Sequence, residues 1–284
     1  MEVLKSHLED ILNTSIITYK PLSGGDISAV FKVETDTKSY VLKRGSKNEA
    51  SLFKAEAQGL DLIAKTQTIA TPIVIAVGNH EETPYLLMEF IESKSPNQQD
   101  YMRLGTQLAQ LHTCQDENFG LPSDNFIGSL PQSNTPSKSW IDFYGTNRLG
   151  FQFELASSKG LLNPAEVPTA EAIRSFLKSI CLDIKPSLLH GDLWSGNYLI
   201  GKDGTPYLID PAVDYGHAEV DIAMTKLFGG FSGAFYSAYH KLRPTTDFYK
   251  ERMEIYQLYY LLVHLNLFGA SYYSSVKRIL KRYF

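Results

Sequence analysis

Leu188-Leu189-His190-Gly191-Asp192-Leu193-Trp194-Ser195-Gly196-Asn197-Tyr198-Leu199-Ile200, continuing through Gly201-Lys202-Asp203-Gly204 to Pro206-Tyr207-Leu208-Ile209-Asp210, is the stretch on which the fold is decided. Two short apolar runs flank Asp203-Gly204, a dipeptide suited to a hairpin turn. A hairpin closed there brings Asn197, before its first strand, and Asp210, after its second, to one end. An amide oxygen and a carboxylate are hard donors of the kind that hold Mg²⁺ carrying nucleotide phosphates. Asp192 lies just upstream of both.

The spacing Asp192-x-x-x-x-Asn197 matches the kinase catalytic loop, in which the aspartate accepts the proton of the substrate hydroxyl and the asparagine holds metal. A lone Asp after Gly is usually a turn residue and a lone Asn a cap. The combination of His190, Asp192, Asn197 and Asp210 is far more specific. The same template requires a phosphate-covering turn, a lysine on the third strand and a glutamate on the following helix.

The first ninety residues supply candidates for each. Strands are predicted at 15–19, 29–33, 39–43, 73–77 and 85–91 from their β-branched and aromatic content, with hairpin-length connections that favour an antiparallel sheet. Leu52, Ala55, Gly59, Leu60 and Ile63 recur at a helical period between the third and fourth strands. Gly24 and Gly25, in the turn between the first two strands, are the candidate phosphate cradle, although the full G-x-G-x-x-G is missing. Lys43 ends the third strand. Glu56 is the candidate partner of that lysine, with Glu49 as the alternative if the helix begins earlier. Glu89, Phe90 and Ile91 close the last strand and are expected to form a hinge that reads adenine.

The 284 residues, 43% hydrophobic and 20% charged, are enough for two lobes sharing a cleft. Residues 92–97 are polar and contain Pro96, and they interrupt the surrounding apolar periods. The reading is therefore an α+β, bilobal protein-kinase-like fold, with a nucleotide-binding lobe at 1–92 and a catalytic and substrate-binding lobe at 93–284. In the second lobe helices are predicted at 98–112, 140–158 and 165–182, with several more from 219 onward. Residues 120–138, rich in Pro, Ser, Asn and Gly, form a candidate substrate loop. A net charge of −4 without a basic run argues against a nucleic-acid partner. Cys114 and Cys181 form no C-x-x-C, and the N-terminus mixes charges early, so a reducing cytoplasm is expected. The longest apolar stretch, 258–268, falls short of the ~18 residues of a membrane span.

With those residues in place, the chain resembles the fructosamine kinase (ketosamine-3-kinase) family, within the aminoglycoside-phosphotransferase-like kinases, over nearly its whole length. Leu193-Trp194-Ser195-Gly196 inside the catalytic loop is the distinguishing text, since aminoglycoside and choline kinases share His-Gly-Asp and Asn but not usually these four. Ile209-Asp210-Pro211-Ala212-Val213, Glu219-Val220-Asp221-Ile222-Ala223-Met224 and His264-Leu265-Asn266-Leu267-Phe268-Gly269 are also similar to the family. The resemblance implies ATP- and Mg²⁺-dependent phosphorylation of the 3-hydroxyl of a ketoamine, free or protein-borne, leading to deglycation. It implies Asp192 as base, Asn197 and Asp210 on metal, and Lys43 on the phosphates. Trp194 is assigned to the substrate sugar, with support of the loop as its alternative. His217 is placed on the substrate side, a structural histidine being the other reading. Asp221 is expected to cap a helix and bond the catalytic loop. The redox-active cysteine that some eukaryotic members carry in the glycine-rich loop has no counterpart here.

Overall fold

A computed structural model describes residues 2–22 and 28–284. Gly24 and Gly25 lie outside the described residues.

The N-terminal part comprises α1 (Glu2–Leu12), β1 (Ile16–Pro21), β2 (Ala29–Thr35), β3 (Ser39–Arg44), α2 (Ala50–Lys65), β4 (Val74–His80) and β5 (Thr83–Glu89). The strands form one sheet in the order β1-β2-β3-β5-β4, every pair antiparallel. Because side chains alternate across a strand, the sheet has two distinct apolar faces. Leu42, Tyr85 and Leu87 face α1 through Leu4 and Leu8, whereas Val41, Leu86 and Met88 face Phe53, Ala57 and Leu60 of α2. Lys43 is two positions from Val41, so it points to the α2 face.

The C-terminal part is mostly helical: α3 (Gln98–Leu111), α4 (Trp140–Phe143), α5 (Phe151–Ser158), α6 (Ala170–Ile180), α7 (Glu219–Leu227), α8 (Gly233–Leu242), α9 (Tyr249–Phe268) and α10 (Tyr273–Tyr283). Its strands are short and paired as hairpin or ladder: β6 (Asn125–Ile127) with β7 (Leu130–Gln132), β8 (Ser187–Leu189) with β11 (Asp214–Gly216), and β9 (Tyr198–Ile200) with β10 (Pro206–Leu208). This is the α+β, two-lobed arrangement the sequence predicts. α9 runs through the centre of its core, with Tyr256, Leu258, Tyr260 and Leu262 fully enclosed.

The helix predicted at 140–158 is interrupted. A π turn spans Tyr144–Gly150 between α4 and α5, and its wider i→i+5 bonding leaves no periodic mark in the sequence. The helix expected from 165 begins at Ala170, because Pro164–Glu166 forms a separate 3-10 turn and Thr169 supplies the cap, accepting from the Ala172 N–H. Residues 120–138 are ordered, with β6 and β7 inside them. Among the described residues no helix is long and apolar enough to cross a membrane.

Candidate active site

Glu56 lies on the buried face of α2, and Lys43 Nζ donates to its Oε1 at 2.7 Å. The same ammonium bonds Asp210. The approach of α2 to Asp210 depends on Gly59, one turn after Glu56. A Cβ there would stand 3.0 Å from Pro211 and 3.3 Å from Val213, so a larger side chain would push α2 away from the segment carrying the aspartate. Glu49, the alternative partner, is occupied elsewhere: it precedes α2 and accepts from the Ser46 N–H at 2.5 Å and the Ser28 hydroxyl at 3.0 Å.

The turn 190–197 is fixed by its own backbone and by two helices. Asp221 accepts from the N–H of His190 at 2.8 Å and of Gly191 at 2.9 Å, and from His112 Nε2 at 3.1 Å. It sits in the first turn of α7 and not at its cap, which Ala218 occupies; its acceptors serve the loop instead. His190 Nε2 donates to the Ile209 carbonyl at 2.8 Å, which leaves Nδ1 to accept from the Asp192 N–H at 3.2 Å. Gly191 has φ +85, and a Cβ on it would meet the Ala212 oxygen at 2.0 Å. Only glycine fits both constraints. Tyr260 of α9 donates to the Gly191 carbonyl at 2.8 Å.

Asn197 donates through Nδ2 to the Asp192 carbonyl at 2.8 Å and to its carboxylate at 3.2 Å. The Ile209 N–H donates to the Asn197 carbonyl at 3.0 Å, so the β9–β10 hairpin sets Asn197 beside the strand that delivers Asp210. Asp210 adopts φ +54, a left-handed conformation that Asp tolerates better than most residues.

Electrostatics divide the three acidic groups. Burial, reinforced by the neighbouring Asp210 charge and opposed by the Asn197 amide, pushes Asp192 up to about 7. Burial opposes ionisation of Asp210, but Lys43 overcomes it and holds that carboxyl below its ordinary value. Burial also raises Glu56, only partly offset by Lys43 and reinforced by Asp210. Burial disfavours the Lys43 charge, yet Asp210 and Glu56 together keep it above the usual lysine range. The donor set suits a hard divalent cation: the Asn197 side chain hydrogen-bonds only through its nitrogen among the described residues, leaving its side-chain oxygen unengaged, and Asp210 is held ionised.

Trp194 is exposed, at 41%, and its indole lies over Gly196, where a Cβ would come within 2.3 Å of the ring. His217 is half-buried, its Nδ1 bonded to the Tyr256 hydroxyl at 2.8 Å and its ring edge-on to Trp140. Glu89 ends β5 opposite Tyr40, and the Phe90 N–H donates to Ser39 O at 3.3 Å. Ile91 lies beyond the sheet, and no hydrogen bond engages its backbone among the described residues. The chain then docks on the catalytic hairpin through Lys94 N–H to Ile200 O at 2.8 Å and Lys202 N–H to Glu92 O at 3.0 Å. A separate cavity of about 340 Å³, lined by Thr146, Asn147, Glu154 and Arg174 among others, contains none of these residues. Gly196 entered the sequence reading only as part of the distinguishing Leu-Trp-Ser-Gly text and not as the seat of the indole, and Tyr260 carried no signal at all.

The fold is that of a two-lobed kinase, a phosphotransferase with an alcohol group as acceptor. The chain belongs to the fructosamine kinase family, whose model matches residues 1–284. It is 40% identical over the full length of both chains to a protein of Lactiplantibacillus plantarum named "Probable ketoamine kinase". It is 36% identical to the chloroplastic protein-ribulosamine 3-kinase of Arabidopsis thaliana, over 95% of this chain and 83% of that one. A crystal structure from Haemophilus somnus described as "Putative fructosamine-3-kinase" superposes with a TM-score of 0.91 at 29% identity, covering 100% of this chain and 97% of that one. Aminoglycoside phosphotransferase APH(4)-Ia, in ternary complex with ADP and hygromycin B, shares the fold at a TM-score of 0.64 and 18% identity, over 98% of both chains.

Proposed function

We propose that this protein transfers the γ-phosphoryl group of Mg²⁺-bound ATP to the 3-hydroxyl of a ketosamine. The observation that carries the reading is the meeting of Lys43, Glu56 and Asp210 beside the Asp192–Asn197 pair. The ketoamine and ribulosamine names of full-length relatives support the acceptor class, and the ADP complex of a fold neighbour supports the donor.

Phosphoryl transfer asks the protein mainly for positioning and charge neutralisation. Asp192 accepts the hydroxyl proton as the acceptor oxygen attacks. Lys43, held by Glu56, binds nucleotide phosphate oxygens, and Gly24 and Gly25 are assigned to the same phosphates from the sequence alone. Asn197 and Asp210 would hold the metal, which when bound would supply neutralisation of charge on the transferring group. The backbone of Glu89, Phe90 and Ile91 reads the adenine edge, a role supported by the unengaged Ile91 amide. Trp194 offers its exposed indole to the sugar. His217 bears on the acceptor side by fixing Tyr256 and Trp140. In this reading residues 1–92 bind the nucleotide, residues 93–284 bind the acceptor, and the phosphorylated adduct decomposes in a cytoplasmic deglycation pathway.

The test is ATP-dependent phosphorylation of a panel containing a fructosamine, a ribulosamine, an erythrulosamine, choline and an aminoglycoside. Turnover confined to the ketosamines is expected, with the phosphorus coupled to the proton on carbon 3 of the product. Turnover confined to choline or the aminoglycoside overturns the acceptor assignment.

A further inference from the structure

We propose that Arg148 is a positioning residue for phosphoryl transfer, acting through Asp214 on the segment that joins Asp210 to the catalytic loop. The inference rests on the kinase reading above and adds a residue to it. Arg148 lies in the π turn and is 3% exposed. Its Nη1 donates to the Ser133 carbonyl at 2.6 Å and to the Asn147 carbonyl at 3.4 Å, and its Nη2 donates to Asn134 Oδ1 at 2.6 Å and to Asp214 Oδ2. The ring of Phe143 lies 4.6 Å below the guanidinium. One planar group thus ties together the π turn, the end of the 120–138 insert and β11.

Asp214 stands opposite Leu189 in the β8–β11 ladder, one residue before His190. Between Asp210 and Asp214, Ala212 donates its N–H to the His190 carbonyl at 2.8 Å and presses its oxygen against Gly191. The insert grips the same segment, with Asn125 Nδ2 donating to the Val213 carbonyl at 2.7 Å. Residues 212–214 are therefore held between the catalytic loop and the insert, and any sideways shift of them carries Asp210 relative to Asp192. Arg148 is the only side chain among the described residues that hydrogen-bonds the Asp214 carboxylate. Its second oxygen and the Tyr144 hydroxyl are buried without a partner among those residues, and both residues line a cavity of about 10 Å³ behind Gly191, about the room one water needs.

A lysine at 148 keeps the charge but cannot present the planar fork that spans carboxylate, amide and carbonyl at once. The consequence is a displaced segment in a folded protein. Displacements of about 1 Å far from the chemistry cost on the order of 100-fold in rate.

The experiment compares wild type with Arg148→Lys and Arg148→Met, using the acceptor that the wild type phosphorylates best and MgADP as the binding probe in calorimetry. A wrong acceptor class shows in the wild type alone, whereas the positioning role is read from the variant-to-wild-type ratio. For Arg148→Lys we expect one MgADP site per chain with affinity within about twofold, and kcat lower by roughly 10- to 100-fold. Arg148→Met is expected to fall further. If Arg148→Met fails to fold, Arg148→Lys decides alone. The proposal is overturned if Arg148→Lys keeps kcat within about twofold of wild type, or if its kcat falls only in proportion to lost MgADP sites, which would mark a folding role.

Discussion

Lys43 reaches across 167 positions of sequence to Asp210 while Glu56 holds the same ammonium at 2.7 Å. One cation thus registers the sheet, α2 and the segment following β10 against one another. Lys43 and Glu56 side chains are only 13% and 14% exposed, so the pair is shielded from the screening that weakens surface ion pairs.

Removing the orienting carboxylate therefore mispositions the lysine. Glu56→Gln is expected to lower kcat/KM by roughly 10- to 100-fold. Glu49→Gln, which loses only bonds to Ser46 and Ser28, is expected to stay within about threefold of wild type. Steady-state kinetics on the two variants separates the residues, and equal losses would contradict the geometry.

The choice between those two glutamates marks where the sequence stopped being legible. His190 through Asp210 could be read directly because one hairpin holds its chemistry within a local stretch, and Lys43 followed from strand alternation. Glu56 was the favoured partner, but setting Glu49 aside required knowing that Lys47–Glu49 forms a separate 3-10 turn before α2. Arg148 and Asp214 were invisible for a different reason: they lie 66 residues apart, and a π turn aims the arginine. Of the two roles expected for Asp221, the bond to the catalytic loop is present, through the N–H groups of His190 and Gly191, whereas the cap falls to Ala218, because nearness to a helix start in sequence does not fix which residue caps it.

The indole of Trp194 rests on Gly196, whose φ lies outside the left-handed region. An alanine at 196 is thus compatible with the backbone but not with the ring. Gly196→Ala should displace the indole and reproduce the phenotype of Trp194→Ala, a rise in acceptor KM of roughly 3- to 10-fold, matching about 0.5–1.5 kcal/mol of aromatic contact, with nucleotide KM unchanged. Kinetics with either substrate varied checks this, and an unaltered acceptor KM in both variants would remove Trp194 from the substrate site.

His112 is fully buried, and burial lowers it from the ordinary 6.5 despite the Asp221 charge beside it. The neutral ring donates from Nε2 to Asp221 and accepts from the Tyr239 hydroxyl at Nδ1. Its folded value lies below its unfolded one, so its contribution to stability is complete above about pH 6.5 and is lost as pH falls toward the folded value. Asp192 and Glu56, raised in the fold, act in the opposite sense, so the histidine must be isolated by comparison. The advantage in Tm of wild type over His112→Gln should shrink between about pH 7.5 and 5.5; a gap that widens on acidification would contradict the assignment.

The Asn197 side chain holds Asp192 through its nitrogen, which leaves its oxygen for the metal in the proposed reaction. Asn197→Ala should raise the Mg²⁺ concentration needed for half-maximal turnover by roughly 10- to 100-fold, and chelation should abolish wild-type turnover. Titration of activity against Mg²⁺ at saturating ATP measures the shift, and an unchanged midpoint would exclude Asn197 as a ligand.

In the proposed reaction Asp192 takes the proton in the transition state. This is measured by the single-turnover rate of Asp192→Asn with saturating MgATP and ketosamine, alongside MgADP affinity. A rate lower by about 10²- to 10⁴-fold with affinity within about twofold is expected; a variant that transfers phosphate at close to the wild-type rate would remove Asp192 from that role.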